Sequence, residues 1–162
     1  YCLGVLQHTP DVRRSFMSLP PQVRPGGALV VDTYAALAMN VLWPKYWLRP
    51  FTKRLPQETL FRLVQGMVAV LLPISVAIGR IPVVGRRLRY AVPVCNYDGV
   101  FPLTKQQLQE WSVLDTFDMY APAYDQPQTL ETLRAWFAEA GMCDIQTFRR
   151  GTNVARGRKP VS

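Results

Sequence analysis

Histidine is all but missing: the chain of 162 residues carries one, His8. That excludes a metal centre built on two or more histidines, and no metal is expected. Cysteine is scarce and odd in number, Cys2, Cys95 and Cys143, with no C-x-x-C pair. Neither a disulfide framework nor a zinc site is indicated, and a reducing, cytoplasmic setting fits. The N-terminus lacks an initiator Met, a charged n-region and an apolar h-region. No secretory leader is expected there, and the chain reads as one that begins part-way through a protein. Acids are missing from the middle: between Thr33 and Tyr97 the only one is Glu58, while bases recur from Lys45 to Arg89.

What is present is core-forming. Hydrophobic residues make up 49% of the sequence and the net charge is +8, which points to one globular domain or part of one. The bases are interleaved with Leu, Val and Pro and line no recognisable binding motif, so nucleic acid is disfavoured as a partner.

The segment "CLGVLQHTPD" reads as a short apolar strand feeding a helix, with Thr9 as N-cap, Pro10 at the first helical position and Asp11 in the first turn. Val12, Phe16 and Leu19 follow at helical spacing, and Pro20-Pro21 must end the helix. Pro25-Gly26-Gly27 turns into the run from Ala28 to Val31. The pattern predicts a β-α-β unit whose continuously apolar strands belong to a parallel sheet covered on both faces. Further on, Thr129 caps a predicted helix with Leu130, Leu133, Trp136, Phe137 and Ala140 on one face, and Gly141 stands in the C′ position. Cys143, Ile145 and Thr147 then alternate with polar residues, Gly151-Thr152-Asn153 turns, and Val154 returns in a second antiparallel strand.

Taken in order, "LGVLQHTPD", "VRPGGALVVDTY" and "DTFDMYAPAYDQPQTLETLRAWFAEAGM" resemble the C-terminal half of a class I S-adenosylmethionine-dependent methyltransferase, of the methyltransferase type 11 group. The resemblance implies an α/β, doubly wound fold, truncated, in which residues 2–6, 28–33 and the last two strands stand for strands four, five, six and seven in the order 4-5-7-6. It divides the chain into residues 1–34 as strand-helix-strand core, 35–117 as a helical basic and apolar insert, and 118–162 as substrate loop, last helix and strand pair. The missing N-terminal half of the same protein would supply the glycine-rich turn and ribose carboxylate, since no G-x-G-x-G occurs here. The cofactor implied is S-adenosylmethionine, with Gly4, Val5 and Gln7 on the far wall of its pocket.

His8 at the strand end could orient a group near the transferred methyl or could bond a nearby loop. Asp118, Tyr120, Tyr124 and Asp125 gather carboxylates and phenols in a Pro-containing loop, where ligands dock in open α/β folds, although tyrosines also pack and aspartates also make turns. His8, Asp118 and Tyr120 are the catalytic candidates, and Asp32, Tyr124 and Asp125 the substrate-binding ones. The charge-free stretch Leu63 to Gly79, at about 1.5 Å per residue, reaches about 26 Å, short of a hydrocarbon core of roughly 30 Å. It reads as one or two lid helices over a cleft, which suits a small, apolar methyl acceptor. The alternative is a non-catalytic basic amphipathic module that binds a partner protein or lies peripherally on a membrane surface, with Trp43, Trp47 and Phe51 as anchors and Arg80, Arg86, Arg87 and Arg89 toward anionic lipid.

Overall fold

Asp11, rather than Thr9, caps the first helix: its carboxylate accepts from Arg14 N at 2.9 Å. The computed structural model describes residues 1–36 and 43–161. They fall into two compact units, one of Tyr1–Leu37 with Ala123–Ser162, the other of Ala38–Pro122.

The first unit contains α1 (Val12–Met17), β1 (Ala28–Thr33), α6 (Leu130–Glu139), β2 (Cys143–Arg150) and β3 (Thr152–Arg158). The strands form a three-stranded antiparallel sheet in the order β1-β3-β2, with Val31 opposite Ala155 and Phe148 opposite Val154. This mixed α/β arrangement replaces the four strands expected in the order 4-5-7-6, a parallel pair followed by a terminal antiparallel pair. β1 alternates between buried and half-exposed residues, so the sheet has one packed face, as antiparallel sheets commonly do. The segment from Cys2 to Leu6 is not a strand. Cys2 makes a single parallel bridge to Val31, with Cys2 N donating to Val30 O at 3.0 Å and Asp32 N to Cys2 O at 3.2 Å. Gly4 then bends into the left-handed region at φ 70°, and Leu6–His8 forms a 3-10 turn, so pairing stops.

The packed face receives α1 and α6. Phe16, Val31, Leu133, Phe137 and Ala155 are fully buried, and the Phe16 ring lies 5.0 Å from that of Phe137 and 5.7 Å from that of Trp136. Thr129 caps α6 through Thr132 N at 3.1 Å, and Gly141 adopts φ 68° just past its end, as the sequence pattern requires.

The second unit is helical: α2 (Pro44–Thr52), α3 (Gln57–Gly79), α4 (Gly85–Leu88) and α5 (Lys105–Tyr120). Where lid helices were expected over 63–79, one helix of 23 residues runs from Gln57 and carries Pro73 inside it. Leu60, Val64, Val68 and Leu72 of α3 make the core with Val113 and Tyr120 of α5 and with Val94. Thr104 and Gln107 form a reciprocal capping box at the start of α5. At its other end buried Arg49 donates to the carbonyls of Met119 at 2.9 Å and Pro122 at 2.8 Å. A guanidinium there satisfies carbonyls that the helix leaves unpaired and meets the negative end of its dipole.

Candidate functional site

In the first unit, polar chemistry gathers where the N-terminal segment leaves the sheet. The Gly4 N–H donates to Asp32 Oδ1 at 2.5 Å, and the Thr152 hydroxyl donates to Asp32 Oδ2 at 3.1 Å. Asp32 therefore ties the end of β1 to both neighbours. Val5, beyond the bend, is exposed. Gln7 is 0% exposed; its carbonyl accepts from Gln126 N at 2.9 Å, but neither amide atom of its side chain meets a partner among the described residues. A buried amide without a partner costs on the order of 1–3 kcal/mol.

His8 stands beside it with Nδ1 3.0 Å from the Tyr124 carbonyl. A carbonyl can only accept, so Nδ1 carries a proton, and in the neutral imidazole the lone pair is then on Nε2. That Nε2 is buried and has no partner among the described residues, while the ring lies edge-on to Tyr34 at 5.5 Å. Tyr124 contributes its carbonyl, its side chain being exposed, and Asp125 is half-buried beside it. Gln126 holds the turn, its amide Nε2 donating to the carbonyls of Thr9 at 2.9 Å and Pro10 at 3.0 Å. Nothing local in the sequence signals that role, because its partners lie more than a hundred positions away.

Asp118 and Tyr120 belong to the second unit and sit on the last turns of α5, not in the loop expected from 118 to 125. Asp118 is exposed. Tyr120 is buried, and its hydroxyl donates to Pro93 O at 3.1 Å. Burial, with the nearby Cys95 adding to it, pushes its ionisation up well beyond the ordinary phenol range. The phenol thus stays protonated and holds the Pro93 loop.

The second unit also holds a cavity of about 270 Å³, close to the lower end of small-molecule sites. Trp43, Tyr90, Val92, Val100 and Met119 are among the residues that make it apolar, and Lys45, Arg89 and Cys95 also line it. Trp43 stacks on Tyr90 with ring centroids 6.1 Å apart. Arg89 Nη1 donates to Asp98 O at 3.1 Å, while its buried Nε meets no partner among the described residues. Local pattern did not point to this cavity, since its walls come from three separate stretches of chain.

At Cys95, burial pushes the thiol up to about 11, with the charge of Asp115 acting in the same direction. A pKa raised in the folded state leaves stability intact below the ordinary 9.0 and erodes it as pH rises toward about 11. The same shift cuts the thiolate fraction at pH 8 by about a hundredfold relative to an ordinary thiol. We expect Cys95 to react with a chromogenic disulfide far more slowly than exposed Cys143. Equal rates for the two, read from Cys95→Ser and Cys143→Ser variants, would contradict this assignment.

Among the described residues no group of three or more His, Cys, Asp or Glu is arranged to hold a metal ion. No protein family, characterised protein or solved structure matches the chain.

Proposed function

We propose that this chain is the C-terminal part of a methyltransferase that moves a methyl group from S-adenosylmethionine to a small, apolar acceptor. The observation that carries the reading is the pair of orphaned polar groups at the end of the N-terminal segment, the Gln7 amide and His8 Nε2. Buried polar atoms are as a rule satisfied, and these two lie on the wall where the resemblance puts the cofactor.

Bound there, S-adenosylmethionine would supply a methyl group already attached to a good leaving group. The chain's own task is alignment, exclusion of water and, where the acceptor must lose a proton, a base. His8 suits that last role, because its Nδ1–H is anchored on a carbonyl and the neutral imidazole carries its lone pair on Nε2. Gln7 offers a donor and an acceptor to a polar edge of the cofactor. Within the helical unit, the cavity beside Trp43 and Met119 is apolar, and Tyr120 fixes the Pro93 carbonyl there.

The test extends the chain upstream in its own reading frame and titrates it with S-adenosylhomocysteine. Saturable binding is expected, with Gln7→Leu weakening it about tenfold or more, while His8→Gln lowers turnover by about 10²-fold or more and leaves cofactor affinity nearly unchanged. An extended chain that binds no cofactor would sink the proposal.

A further inference from the structure

The turn between α3 and α4 reads Arg80-Ile81-Pro82-Val83-Val84-Gly85-Arg86-Arg87. Its tip is apolar and bare: Val83 is 97% exposed, and Ile81 and Val84 are each nearly half exposed. Val83 also sits at φ 67°, a left-handed conformation that a β-branched residue rarely takes. The unit holds a valine in an unfavourable backbone geometry and presents its side chain to solvent, where burial cannot repay it. The apolar surface continues along α3, whose Leu63, Val70 and Ile74 are exposed beside the buried stripe of Leu60, Val64 and Val68. Arginines bracket the tip at 80, 86 and 87, all exposed, and no acid occurs between Glu58 and Asp98.

We propose that this tip and the bare face of α3 dock the protein onto an anionic lipid bilayer, with Val83 and Ile81 entering the interface and Arg80, Arg86 and Arg87 meeting the headgroups. An apolar wedge ringed by cations is what such a surface selects, because the apolar part gains burial and the charges gain the surface potential. The helix lies on the membrane and does not cross it. Although Gln57–Gly79 is long and apolar enough to span, its buried stripe packs on α5, which carries exposed Lys105, Gln106, Gln109 and Glu110, and a bilayer core would not accept them. This inference stands independently of the methyl-transfer reading.

Two variants separate docking from folding. Val83→Gly relieves the backbone while removing the apolar side chain, so it should raise thermal stability and still lower vesicle binding severalfold. Arg86→Gln with Arg87→Gln should lower binding about tenfold or more, since each base near an anionic surface contributes roughly a factor of five. The full chain is co-sedimented with vesicles of phosphatidylcholine mixed with phosphatidylglycerol, with vesicles of phosphatidylcholine alone, and at raised salt. Binding only to the mixed vesicles, weakened by salt and by both variants, is the expected result. Equal binding to neutral vesicles, no binding to either, or association into dimers that Val83→Gly abolishes would each overturn the proposal.

Discussion

Phe137→Ala should lower the stability of the first unit by about 3–5 kcal/mol. The ring is fully buried, touches Phe16, and lies against the backbone of β3 at Gly157. A Cβ at Gly157 would stand 2.8 Å from Phe137 Cδ1, so the absence of a side chain there is what admits the ring. Two measurements check the account. Denaturant unfolding followed by circular dichroism gives the loss for Phe137→Ala, and a value below about 1 kcal/mol would refute the core assignment. Gly157→Ala should also destabilise, and should do so less in a Phe137→Leu background, because the clash and the ring are one interaction.

Gly85→Ala should destabilise the helical unit by at least the upper part of the about 1–3 kcal/mol range for overpacking. A Cβ at Gly85 would fall 2.3 Å from the carbonyl oxygen of Ile78 and 3.0 Å from that of Gly79. Both are backbone atoms at the end of α3 and cannot rotate away. Gly66, midway along the same helix, has nothing within 4 Å, so Gly66→Ala should stabilise by roughly 0.5–1 kcal/mol through helix propensity. Thermal melts of the pair should move in opposite directions. A shared sign would contradict the close approach of α4 to the end of α3.

The elements legible in the sequence were those whose signals are local. Thr129, the apolar face from Leu133 to Phe137, and Gly141 specify α6 within a dozen positions, and the structure matches them. The end of α5 was illegible because its buried face is largely polar: Ser112, Thr116 and Tyr120 face inward beside Val113, so hydrophobic periodicity carries little information there. Thr9 reads as the cap because Pro10 suits a first helical position; the helix instead starts after the proline, and Thr9 bonds back to Leu6 O at 2.7 Å. The N-terminal strand failed for a related reason. Its composition is strand-like, but Gly4 and the Asp32 carboxylate turn the backbone away after one bridge. Of the candidate site, His8 and Gln7 were visible as residue types. Their orphaned atoms and the Gln126 clasp depend on contacts across most of the chain's length.

The clasp that closes the first unit also bears on how such a chain can change over time. Ala36 N donates to Gln128 O at 3.1 Å and Gln128 N to Tyr34 O at 3.0 Å, so the point where the backbone departs after β1 and the point where it returns before α6 are stitched side by side. Everything between them enters and leaves through one doorway. Because the closure entropy of a loop grows only slowly with its length, the helical unit behaves as a cassette. Lengthening it, shortening it or exchanging it for another would leave the register of β1 and β3 untouched.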